Sequence, residues 1–150
     1  MKNRFKFRAW HKETKTMYEV ESLYPYKDEA TQGGELFFKD FKISYYFPEE
    51  CEIMQCTGLK DKNGKLIYEG DIVVIPNEYP FYDENVLNYV GVVEYIYNSW
   101  QYVYHCVNPK KVGISEGINY LLNEDGIEEN ENSYFKIIGN IYENKELLDE

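Results

Sequence analysis

The sequence predicts a mostly β protein that closes into a small barrel of short strands. Three observations carry that expectation. Apolar and polar residues alternate with period two in several short runs, of which "NRFKFRAW" is the cleanest. Turn signals recur between those runs, at Gly33-Gly34, Pro48, Asn63-Gly64, Gly70, Pro76 and Asn98-Ser99. Aromatic residues make up 17% of the chain and 16 residues are tyrosine, whose ring packs on a pleated surface while its hydroxyl stays wet.

Taken in order, "NRFKFRAW" predicts a strand with Phe5, Phe7 and Ala9 on its buried face and Arg4, Lys6 and Arg8 on the other. The polar "HKETKT" turns the chain and "MYEVESLY" returns as the second arm of a hairpin. Residues 25–34 read as a loop, "ELFFKDFKISYYF" as one strand ended by Pro48, and "CEIMQCT" as a short strand. Asn63-Gly64 is a strong hairpin turn. "LIYEGDIVVI" is a strand broken at Gly70, with its 72–75 run buried and Pro76 closing it. After a polar loop over 77–89, "YVGVVEYIY" and "WQYVYHCV" form the clearest hairpin, with Trp100, Tyr102, Tyr104 and Cys106 sharing one face. "GINYLL" is ambiguous between helical turn and strand, and "NEDGIEENEN" is an acidic surface loop. "YFKIIGNIY" is a final strand, and "ENKELLDE" a short helix capped by Asn144.

A length of 150 residues with 43% hydrophobic composition supports one domain, or two small halves, with a real core. The net charge of −11 is unevenly spread: six basic residues stand against Glu13 within 1–16, giving +5 there and leaving −16 for the rest. Cys51, Cys56 and Cys106 are an odd set without framework spacing, which argues against a disulfide-stapled secreted domain. No apolar run reaches membrane length, and the N-terminus lacks the apolar core of a signal peptide, so a soluble cytoplasmic protein is expected.

Five constellations invite a chemical reading. Cys51, Cys56, His105 and Cys106 are a poor metal set, because the pair spacing is wrong and adjacent strand residues face opposite ways. A cysteine nucleophile with His11 or His105 lacks any signature stretch. Glu69 and Asp71 share one side of an extended segment, yet acids beside Gly70 more simply cap the bend by accepting backbone amides. No catalytic, cofactor or metal residues are therefore assigned, and a non-enzyme is expected. The stripe Lys2, Arg4, Lys6 and Arg8 places charges about 7 Å apart, a spacing that tracks a phosphate backbone; a solvated edge strand explains it as well. The acidic loops around Glu124-Asp125 and 128–131 serve solubility, or imitate phosphates before a basic host protein.

The stretches "FRAWHKETKTMYEV", "MQCTGLKDKNGKLIYEGDIV" and "GNIYENKELL" together resemble the YopX-like family of bacteriophage and prophage proteins. The resemblance spans effectively the whole chain, with Cys56 where an aromatic is frequent and Lys145 where a proline is frequent. It implies one YopX-like domain over 1–150, divisible into an N-terminal β region at 1–56 and an SH3-like barrel with a C-terminal helical turn at 57–150. It implies a bacterial cytoplasmic location and supplies no catalytic residues and no cofactor.

The expectation is an acidic phage accessory protein of unknown activity, acting as a protein-interaction module toward a host or phage protein. Nucleic-acid binding through the basic stripe ranks second, and an acidic decoy for a host nucleic-acid-binding protein third. No membrane partner is expected, and exposed strand edges leave homo-oligomerisation open. The motif residues Gly58, Asn63, Gly64, Ile67, Tyr68, Glu69, Gly70, Asp71, Gly139, Ile141, Tyr142, Glu143 and Asn144 read as structural corners. Ile67, Tyr68, Ile141 and Tyr142 are expected to be largely buried, with the two Ile-Tyr-Glu segments close in space.

Overall fold

A computed structural model describes residues 5–25, 33–41, 44–76, 88–96, 101–106 and 136–148. The described strands are β1 (Phe7–His11), β2 (Thr16–Pro25), β3 (Gly34–Phe38), β4 (Ser44–Phe47), β5 (Cys51–Lys60), β6 (Leu66–Tyr68), β7 (Asp71–Pro76), β8 (Asn88–Ile96), β9 (Gln101–Cys106) and β10 (Lys136–Asn140), followed by a 3₁₀ turn at Lys145–Leu148. They form two sheets, ordered β4-β3-β2-β1-β5-β6 and β10-β7-β8-β9. Every pairing with a resolved register is antiparallel. The fold is mostly β, and among the described residues neither sheet closes on itself into the expected barrel. The chain divides into two compact units, Met1–Cys56 and Thr57–Glu150.

In the first unit β1 and β2 are the expected hairpin, His11 facing Thr16 across the turn. β1 also pairs with β5, which makes it an inner strand. The expected two-faced alternation is not found: Arg8, Ala9, Trp10 and His11 are all buried, and Arg8 is only 9% exposed. Phe5 precedes the strand and is 86% exposed, the reverse of the expected burial. The run "ELFFKDFKISYYF" is two strands rather than one; the Phe41 N–H donates to the Phe38 carbonyl as the chain turns, and β4 returns alongside β3. The polar pair Lys39-Asp40 supplies that turn.

Strand β2 solves a patterning problem. Tyr18, Val20 and Leu23 cannot share a face at strict period two, but β2 spends two steps, from Val20 to Ser22, against one step of β3, from Phe38 to Phe37. This bulge at Glu21 returns Leu23 to the core face opposite Leu36. The core so formed holds Ala9, Leu36, Phe38 and Cys51, packed by Tyr18, Val20, Tyr45, Phe47 and Ile53. Phe38 is stacked between Tyr18 and Tyr45, with ring centroids 4.4 and 4.8 Å away. Each such aromatic pair adds about 0.5–1.5 kcal/mol beyond its buried area.

In the second unit β7 lies between β10 and β8. Its consecutive Ile72 and Val73 are both fully buried, as the unbroken apolar run predicts for a strand covered on both faces. Opposite them on β8 stand Val92 and Gly91, both buried, and the next residue, Val93, is fully buried. The hairpin of β8 and β9 pairs Ile96 with Gln101 at its closed end. The expected faces of 100–107, the ambiguous "GINYLL" and the acidic 123–132 loop lie outside the described side chains or residues.

Candidate functional site

The motif residues gather at two corners of the second unit. At the first, Gly70 has φ of 77°, a left-handed conformation that a side chain would strain. Its N–H donates to the Val93 carbonyl, and its own carbonyl accepts the Ile141 N–H at 2.9 Å. Asp71, fully buried, accepts the Tyr68 N–H on Oδ2 at 2.8 Å, so an acid does cap the bend as the sequence predicts. Glu69 is half-buried on the turn. The second corner is an Asx turn: Asn140 Oδ1 accepts the N–H groups of Tyr142 and Glu143, each at 3.0 Å, and its Nδ2 donates to Glu143 at 2.6 Å.

The two Ile-Tyr-Glu segments are thus joined directly, through Ile141 and Gly70. Their burial is uneven: Ile67 is fully buried, whereas Tyr68, Ile141 and Tyr142 are half-buried. The side chain of Asn144 turns back to accept the Asn140 N–H rather than capping the 3₁₀ turn. Gly139 leaves room for it, since a Cβ there would stand 2.5 Å from Asn144 Oδ1.

The hairpin turn before the first corner is organised by Asp61, which is 1% exposed and stands outside the motif residues that the sequence marks as corners. Its Oδ1 accepts the Asn63 and Lys65 N–H groups, both at 2.9 Å. Its Oδ2 accepts the Ile137 N–H of β10 at 3.2 Å and faces Asn63 Nδ2 at 3.5 Å. Burial is the largest single influence and pushes this carboxyl up. The bonds from Lys65, Ile137 and Asn63 act together in the other direction and hold it below the usual range. Gly64, with φ of 83°, closes the turn by donating to the Asp61 carbonyl. Upstream, Thr57 Oγ1 donates to the Ile67 carbonyl and accepts the Leu59 N–H across Gly58, whose φ is 88°. An acid two residues before Asn-Gly is the signal that marks such a turn in the sequence.

One reactive pairing considered from the sequence is brought together. His11 and Cys51 are directly opposed on β1 and β5. Burial, followed by the charge of Glu50, outweighs the pull of Lys12 and pushes the Cys51 thiol up to about 11. It is therefore protonated at neutral pH and a poor nucleophile. His11 Nδ1 accepts the Thr14 N–H at 3.1 Å, and its ring packs edge-on to Tyr45. Cys56 is buried on the opposite face of β5 from Cys51. Among the described residues no group of His, Cys, Asp or Glu could hold a metal ion. The side chains of His105 and Cys106 lie outside the description.

Of the basic stripe, Lys6 is exposed and Arg8 buried, while Lys2 and Arg4 lie outside the described residues. A different surface emerges from the register of β2, β3 and β4. Tyr24, Glu35 and Tyr46 stand in one cross-strand row on the face opposite the core, with Phe37 beside them against Tyr24. Tyr24 is 60% and Tyr46 43% exposed. The sequence did not reveal this row, because it depends on the bulge at Glu21 and on β4 being a separate strand. Among the described residues no helix is long and apolar enough to cross a membrane.

Two solved structures are similar to the chain over nearly its whole length. One is protein EF1440 from Enterococcus faecalis, with a TM-score of 0.59 and 26% identity, covering 95% of this chain and 96% of that one. The other is the protein yopX from Bacillus subtilis, with a TM-score of 0.54 and 18% identity, covering 97% and 98% respectively; at that identity the likeness is one of fold. No curated protein sequence matches. The family model described as YopX protein matches residues 6–149.

Proposed function

The chain belongs to the YopX family, and on that premise we propose that it is a phage- or prophage-encoded accessory protein working as a non-enzymatic protein-interaction module. The observation that carries this reading is the row Tyr24, Glu35 and Tyr46 with Phe37 beside it, on a sheet face opposite the core. Exposed aromatic rings on a rigid sheet give large contact area at small entropic cost, and aromatic residues are enriched in protein interfaces. The partner is a host or phage protein met in the bacterial cytoplasm. The protonated, buried Cys51 and the engaged His11 support a role without catalysis.

Nucleic-acid binding ranks lower because Arg8 is buried and a body of net charge −11 repels a long polyanion. The test is affinity purification from host cells during phage growth, with nuclease-treated and untreated arms. A specific protein is expected in both arms and is lost from the Tyr24→Ser/Tyr46→Ser variant. Recovery only without nuclease, or no specific protein at any salt, sinks the reading. Direct binding to single-stranded nucleic acid is checked with Lys6→Glu, since replacing buried Arg8 would report on folding instead.

A further inference from the structure

The outer edge of β4 offers an inference independent of the aromatic face. Among the described residues β4 is a terminal strand of its sheet, a position where backbone groups pointing outward invite a further strand. At Tyr46 those groups are already engaged. The Tyr46 N–H donates to Glu50 Oε2 at 2.7 Å, and the Tyr46 carbonyl accepts the Glu50 N–H at 2.9 Å. In an antiparallel pair, one residue of the incoming strand would accept from that N–H and donate to that carbonyl. Glu50 performs both parts, its carboxylate standing where a peptide carbonyl would be.

Glu50 is itself held in place. Its carbonyl accepts the Lys12 N–H at 2.9 Å, so the 48–50 turn is tied to the β1–β2 turn. Lys12 adds an ion pair to Glu52 at 2.8 Å, and its Nζ also donates to the Pro48 carbonyl. Half of this arrangement recurs in the second unit. Among the described strands β10 is terminal in its sheet, and its Ile137 N–H is taken by the Asp61 carboxylate at 3.2 Å.

We propose that Glu50 is a built-in plug of the β4 edge, which withholds the Tyr46 backbone from strand pairing with a second copy of this chain. An acidic chain is suited to this device, because a carboxylate accepts more strongly than a peptide carbonyl and repels the like-charged edge of another copy.

Three chains test it: the wild type, Glu50→Gln, whose amide oxygen still accepts the Tyr46 N–H, and Glu50→Ala, which cannot. In wild type and Glu50→Gln the Tyr46 amide is expected to exchange with solvent about tenfold or more slowly than an open amide, and in dilute Glu50→Ala at nearly the open rate. Sedimentation velocity of Glu50→Ala should show association rising with concentration beyond that of wild type. Adding Tyr46→Pro, which removes the N–H while suiting an edge strand, should abolish the extra association. An unprotected Tyr46 amide in the wild-type protein overturns the proposal without any variant. So does a folded Glu50→Ala whose sedimentation follows the wild type at every concentration, or extra association that survives Tyr46→Pro.

Discussion

Replacing Asp61 by asparagine removes one acceptor oxygen from a site where two are used. Oδ1 serves the turn, through Asn63 and Lys65, while Oδ2 serves Ile137. The carboxamide can turn its oxygen to only one of these. Kept on the turn, it presents an N–H donor to the Ile137 N–H; reversed, it abandons two turn amides. A hydrogen bond to a charged group is worth about 1.5–3 kcal/mol net, but Asn63 and Lys65 are exposed and water replaces much of their loss. Ile137 is half-buried and pays more of the penalty. We expect about 2 kcal/mol for Asp61→Asn and about 3–4 kcal/mol for Asp61→Ala. In urea the first corresponds to a midpoint lowered by about 1 M.

The effect has a pH signature. The folded carboxyl lies below its usual range, so its contribution is present above the unfolded value near 3.9 and disappears as pH falls through the folded one. The midpoint gap between wild type and Asp61→Asn should therefore be full at pH 6 and shrink below about pH 4. Urea titrations across pH 2–7 read the gap, and amide exchange at Ile137 reads the local bond. Equal midpoints at pH 6, or a gap that grows on acidification, would refute this account of Asp61.

Three further outcomes follow from other contacts. Gly70→Ala should lower stability by about 1–2 kcal/mol by forcing a side chain into the left-handed region, measured as a lowered urea midpoint; an unchanged midpoint would show that the corner tolerates the strain. Thr57→Val leaves the Ile67 carbonyl and the Leu59 N–H without their shared hydroxyl and should cost about 1–2 kcal/mol, again read by denaturant. With its thiol pushed up to about 11 and no exposed surface, Cys51 should resist iodoacetamide at pH 8 in the folded protein and react on unfolding; peptide mass mapping checks it, and labelling at native rates equal to denatured ones would contradict the burial.

Much of the strand layout was legible in the residues, and for definite reasons. The β1–β2 hairpin, the Asn63-Gly64 reversal, the break at Gly70 and the β8–β9 hairpin each rest on local turn chemistry that acts over a few residues. The sequence predicts a short terminal helix capped by Asn144; the structure has a 3₁₀ turn at Lys145–Leu148, with the Asn144 side chain turned back to Asn140. What misled was burial. "NRFKFRAW" alternates like a half-exposed strand, but Arg8 and Trp10 on its polar face are buried along with Ala9 and His11. Nothing local distinguishes one covered face from two.

By itself, then, the sequence determined the β character and most of the reversals, since period-two patterning and turn residues are short-range signals. Only the tertiary structure decided that the described strands lie in two sheets, that Asp61 and Glu50 close strand edges, and that Tyr24, Glu35 and Tyr46 form a row. The physical reason is register. A one-residue bulge moves every later side chain of a strand to the other face, and a carboxylate finds a distant amide only after pairing has placed both.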